Sequence, residues 1–164
     1  MPTDKENLIS AIEHHKEDVI DTVCKRLQKL SSSHYEIIDY ERHLEREENF
    51  LNALLQGLRD ETPESFLTFV EHLSEQRSDE GYSLEEFQDA FNVVEDTLWD
   101  MLVTHFPHDA SLIGMLAVVG NLFRASKDRL ARVFLQEALS AQRELENLQK
   151  KFRVYRKITR KNLP

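Results

Sequence analysis

The 164-residue chain has one cysteine, four glycines and four prolines. A single thiol, Cys24, excludes an internal disulfide and a cysteine-built zinc site, and it fits a reducing compartment. So few turn-forming residues, beside 40% hydrophobic and 31% charged side chains, argue for helices joined by short loops. Long apolar runs are also missing. The longest, LIGMLAVVGNLF from Leu112 to Phe123, falls well short of the roughly 20 residues a membrane span needs. The opening stretch, MPTDKENLIS, has neither the basic start nor the apolar centre of a signal peptide. The expectation is a soluble, cytoplasmic protein.

Catalytic and metal-binding motifs are equally scarce. There is no phosphate-binding glycine loop and no G-x-S-x-G. None of the seven histidines has a glutamate three residues before it, and His-Glu-x-x-His is absent. His14 and His15 diverge by about 100° around a helix, and Pro107 separates His105 from His108. No metal site, no catalytic residue and no enzymatic activity are expected. His43, His72 and His105 lie beside apolar stripes, so they are the candidates for a haem ligand if the chain holds that cofactor. Cys24 sits beside Val23 and Leu27 and reads as a small core residue. Trp99 falls at core spacing, and Glu47 and Glu48 read as neighbours on a solvated face.

What the sequence does contain is helical periodicity. Thr3 with Glu6, and Ser83 with Glu86, form capping boxes; Thr62 before Pro63, and Asp109 after Pro107, mark two further starts. A first helix is expected from Asp4 to Leu30, with Leu8, Ile12, Val19, Val23, Leu27 and Leu30 as its stripe, ended by SSSH. A second begins between Ser33 and Asp39 and faces inward through Leu44, Leu51, Leu54, Leu55 and Leu58. A short third carries Phe66, Phe69, Val70 and Leu73. A fourth repeats Leu84, Phe87, Phe91, Val94, Leu98 and Leu102 at helical spacing. The fifth begins near Asp109 and runs to about Thr159. At 1.5 Å per residue that is roughly 75 Å, so part of it must project from the domain.

The fifth helix changes character midway. Up to Val133 its apolar face is broad. From Ala138 it narrows to Ala138, Ala141, Leu145, Leu148, Phe152 and Tyr155, in alternating steps of three and four that define a heptad seam. The expected division is a helical sensor or regulatory domain over 1–137 and a coiled-coil linker over 138–164, with the six seam residues as a homodimer interface. Charge divides similarly. Lys150 to Pro164 holds seven basic residues and no acid, while the remainder holds 14 bases against 30 acids. An acidic body repels nucleic acid and anionic membranes, so neither is an expected partner, and the basic run reads as a solvated helix face. Like-charge repulsion there is expected to loosen the last turns beyond Phe152.

The stretch RSDEGYSLEEFQDAFNVVEDTLWDML, Arg77 to Leu102, resembles the N-terminal domain of the RsbR/RsbRD stressosome proteins, also found before some bacterial sensor histidine kinases. The shared features are the start at Gly81 to Glu86, the late Leu98–Trp99 pair, and the following helix LIGMLAVVGNLFRASKDRLARVFLQEAL. Similarity extends over roughly Leu8 to Leu139. The resemblance implies an all-α, globin-like bundle of about five helices, usually without haem. It also implies a homodimer and a last helix that continues as a linker into an effector, either a STAS domain or a histidine kinase. No effector sequence follows the tail, which leaves a piece of a longer signalling protein or a free-standing relative as the two readings. No motif carries the family's phosphorylated threonines onto Thr159. The functional expectation is therefore a dimeric sensory domain without a cofactor; the alternative is a haem- or small-ligand-binding globin-like sensor.

Overall fold

The computed structural model describes residues 1–31 and 33–161. Among them are six α-helices: α1 Asp4–His14, α2 Lys16–Leu27, α3 Tyr40–Arg59, α4 Glu64–Asp79, α5 Leu84–His105 and α6 Leu112–Lys161. No described residue lies in a strand. The all-α class and the long final helix agree with the sequence reading, while the count is six and not five. Ser32 in the SSSH break and residues 162–164 of the expected linker lie outside the described residues.

The extra helix arises at His15, where the expected first helix breaks and the backbone turns to φ −105°, ψ 13°. No glycine or proline marks the site, so the cause is packing. α1 lies on α6 and α3, α2 lies on α3 and α5, and one straight rod could not follow both paths. The stripe still enters the core as expected, with Leu8, Ile12, Val19, Val23 and Leu27 buried.

Both capping boxes form at the starts of α1 and α5. Asp39 settles the ambiguous start of α3 by accepting the Arg42 N–H at 2.8 Å. Two other starts differ. Pro63, with no side-chain cap, takes the N-cap position of α4 in place of Thr62. Asp109 accepts the Ser111 N–H at 2.8 Å in a tight turn, so α6 begins three residues later than expected, at Leu112. Gly81, at φ +90°, makes the α4–α5 turn that a side chain would strain.

α6 is the central post, packed against α4, α5 and α1. A chain of edge-on rings crosses the core beside it: Phe66 to Phe50 at 5.4 Å, Phe50 to Phe91 at 5.3 Å, and Phe91 to Phe87 at 5.1 Å between centroids. Gly57 allows the α3–α4 approach, because a β-carbon there would stand 2.4 Å from Phe66 Cβ. Trp99 departs from its expected place. It is 42% exposed, since Leu98 holds the inward position and the next residue turns about 100° away.

Candidate functional site in the projecting helix and an interior polar cluster

The core stripe of α6 ends at Val133 and Phe134. From Leu135 through Arg160 every residue is exposed. The stripe itself does not end there. Steps of three or four carry it from Leu130 and Phe134 through Ala138 and Ala141 to Leu145, Leu148, Phe152 and Tyr155, all on one side of the helix. Leu145, Leu148 and Phe152 are 57%, 51% and 68% exposed. Thus one apolar face is covered by the body along its first half and uncovered along its second. α6 stays helical to Lys161, so the loosening expected past Phe152 is not part of this structure. Near the point of exit, Arg129 pairs with Glu71 at 2.7 Å and Glu64 at 2.9 Å on α4, and Lys127 pairs with Glu95 on α5. These contacts tie α6 to both neighbours.

The three candidate haem histidines do not converge. His43 is fully buried on α3. Its Nε2 lies 2.9 Å from the Tyr35 carbonyl, which can only accept, so Nε2 carries the proton and the buried Nδ1 has no partner among the described residues. Burial lowers its pKa, opposed by the bond to Tyr35. His72 is exposed on α4. His105 is exposed at the end of α5, where its ring stacks 3.9 Å from that of His15. Only His43 faces inward. His72 and His105 sit at the edges of their stripes, where a small rotation decides for solvent. Among the described residues, no three His, Cys, Asp or Glu side chains cluster closely enough to hold a metal ion.

A polar cluster sits inside the opposite wall, between the α2–α3 loop, α3, α4 and α5. The loop is tied down by Glu86, whose Oε1 accepts the His34 N–H at 2.9 Å and contacts His34 Nδ1 at 2.8 Å. Burial acts to raise the Glu86 carboxyl, but bonds from the Ser83 backbone and from His34 outweigh it and hold the group at about 2. On α4, Arg77 is only 4% exposed. Arg77 Nη1 and Arg46 Nη2 donate to the same oxygen of Glu80, at 3.1 and 3.2 Å. Glu47 overturns the solvated-face reading. It is half-buried and lines a small, partly open cavity with Tyr35, Arg46 and Arg77, while Glu48 is exposed. Burial pushes the Glu47 carboxyl up to about 7 against the pull of Arg77 and Arg46. A signal for this was present: Leu44, Glu47, Leu51, Leu54 and Leu58 follow steps of three and four, which places Glu47 on the core stripe. Phe66, Val70, Leu73 and Arg77 do the same on α4. Cys24 is buried as expected, and burial, followed by Glu47 and Asp21, raises its thiol to about 12.

With this geometry in place, comparison by family model is decisive. Residues 40–150, about two thirds of the chain, match the RsbT co-antagonist protein rsbRD N-terminal domain. The chain belongs to the RsbRD N-terminal domain family. It is a stressosome-type signalling sensor domain, and that family's role is sensing and co-antagonism, not catalysis. The match runs from the first residue of α3 into the exposed half of α6, past Leu145 and Leu148; α1 and α2 lie outside it. No curated protein and no solved structure matches the chain. Among the described residues of this RsbRD-type domain, no helix is long and apolar enough to cross a membrane.

Proposed function

We infer that the chain works in the cytoplasm as a homodimeric sensory module that passes its signal out through α6. The observation that carries this reading is the uncovered half of an unbroken apolar stripe. Pairing two α6 helices along Ala138, Ala141, Leu145, Leu148, Phe152 and Tyr155 covers it. Each large side chain then contributes about 1.5–3 kcal/mol relative to exposure. The ion pairs of Arg129 and Lys127 couple the pair to α4 and α5, so a rearrangement of the body becomes a rotation or slide of two helices. An effector of the STAS or histidine-kinase class, joined to or docked on the basic end, reads that movement. The 1–137 body senses and the 138–164 segment transmits.

The module operates without haem. In support, His43 Nε2 is already committed to Tyr35, while His72 and His105 face solvent on separate helices. A Soret band in the purified protein would favour the haem-sensor reading instead. Pairing is tested with Leu148→Cys. Cys24 is buried with a raised thiol pKa, so it stays silent under mild oxidation. Rapid disulfide-linked dimer with Leu148→Cys and little with Glu146→Cys, off the seam, is the expected result. Equal cross-linking at both positions would contradict the proposed seam.

A further inference from the structure

Three histidines meet where the first two helices part. His15, at the α1–α2 break, has its ring stacked on that of His105, with 3.9 Å between centroids and 19° between planes. His14 stands edge-on to His15 at 4.7 Å. Phe106, the C-cap of α5, meets His15 edge-on at 6.1 Å from the connection into α6. His15 and His105 also line a groove of about 230 Å³ between α2 and α5, together with Asp18, Arg26 and Asp100. Among the described residues His34 is the one histidine in an ion pair, so no carboxylate is paired with any of these three rings.

Their places on the helices give the rings different preferences for a proton. His14 and His105 lie in the last turns of α1 and α5, where unpaired carbonyls favour a cation. His15 is the N-cap of α2, where free N–H groups disfavour one. A proton on His14 or His105 therefore sets a positive charge against the ring least able to take another. From α2, Asp18 favours a charged His15, while Arg26 is already paired with Asp100 of α5 at 2.7 Å. Towards α3, Glu13 pairs with Arg59, and Lys16 donates to Asn52 at 2.6 Å. In the α5–α6 connection His108 is exposed and the Asp109 carboxylate is held by Ser111. α6 has no charged residue before Arg124. Burial lowers the His15 pKa, and His105 and His14 add to that effect.

We propose that His14, His15 and His105 form a proton-operated joint, closed while at most one ring is charged and opened as acid charges the others. Neutral aromatic rings stack favourably, whereas two imidazolium rings at this spacing repel and are better hydrated apart. His15 holds a proton less well in the closed joint than in the open one. The closed form is therefore favoured above the ordinary histidine value of 6.5 and lost as pH falls below it. Each extra proton taken up on opening raises the open-to-closed ratio by up to about tenfold per pH unit. Phe106 ties His15 to the connection that leads into α6 at Leu112, so opening frees the start of the output helix. The joint gives the sensory reading an input, the proton, and rests on that reading only for its consequence.

The experiment uses the intact chain and follows the histidine ring C–H signals by NMR from about pH 8 to about pH 5. Amide exchange, corrected for its intrinsic pH dependence, is compared at the two ends of that range. Amides from His15 to Val19 and from Phe106 to Leu112 should exchange about tenfold faster in acid, while those from Leu98 to Leu102 stay protected. His105→Gln should raise the His15 midpoint by about half a pH unit and remove most of the acid-induced exchange. His14→Gln reports the same coupling from the other side of His15, and His72→Gln, an exposed ring on α4, should change neither quantity. All three variants should keep the wild-type circular dichroism spectrum near pH 8. A chain that shows this pattern as a monomer would keep the joint and remove the paired helices. A His15 midpoint indifferent to both His105→Gln and His14→Gln, or acid-induced exchange that persists in both, would overturn the joint.

Discussion

Glu47 holds a carboxyl group near two arginines that both pair elsewhere, and ionising it in that setting is costly. The folded protein keeps its proton up to about pH 7, whereas the unfolded chain releases it near the ordinary 4.5. Between those values the native state binds more protons, so its stability falls as pH rises through that window. Above pH 7 the full cost stands at about 3 kcal/mol. Glu47→Gln removes it. Urea denaturation should show the variant close to wild type near pH 4.5 and more stable by up to about 3 kcal/mol near pH 8; equal midpoints at both would refute the assignment. Gly57 is a second sensitive position, for steric reasons. A methyl group there meets Phe66 Cβ at 2.4 Å, and the α3–α4 backbones must separate to admit it. Gly57→Ala should cost about 1–3 kcal/mol despite the better helix propensity of alanine. A stabilised variant would show that the two helices yield more easily than their packing indicates. Glu47 lay on a legible stripe, between Leu44 and Leu51. What periodicity leaves out is that a stripe position can hold a titratable group when an opposing helix brings a cation near it, as Arg77 does across from Glu47.

Helix boundaries were legible where a side chain closes the first turn, as at Thr3, Asp39 and Ser83. They were less so where tertiary packing decides. The break at His15 has no local cause, because two helices of ordinary propensity part there to reach different neighbours. The start of α6 was displaced because Asp109 serves its own turn before the helix begins. The projecting half of α6 was visible from its length and narrowed face, since a body of this size cannot cover about 75 Å of helix. Hydrogen exchange can test how that half is held. Amides from Met115 to Phe134 should be protected at every concentration. Those from Ala138 to Phe152 should become protected only as concentration rises and the helices pair, with the basic turns beyond exchanging fastest. Protection of the exposed half that ignores concentration would remove pairing as its source.

At the scale of the whole molecule, an acidic helical body is built around one helix that it covers only partly. The body resembles a sensor because its polar interior abuts the aromatic chain reaching α6, and α6 leaves toward its basic end carrying an uncovered seam. Family membership came within reach of the sequence through Gly81 to Glu86 and Leu98–Trp99, although the matched region starts at Tyr40 and excludes the first two helices. The interior cluster was not legible, because Tyr35, Glu47 and Arg77 come together only in three dimensions. The central claim is that the seam joins two copies while the body folds independently of that contact. Sedimentation equilibrium on wild type and on the Leu145→Asp, Leu148→Asp double variant tests it most directly. Wild type should sediment as a dimer at micromolar concentration, and the double variant as a monomer with cooperative thermal unfolding retained. A wild-type monomer, or a double variant dimerising with an unchanged dissociation constant, would contradict the account.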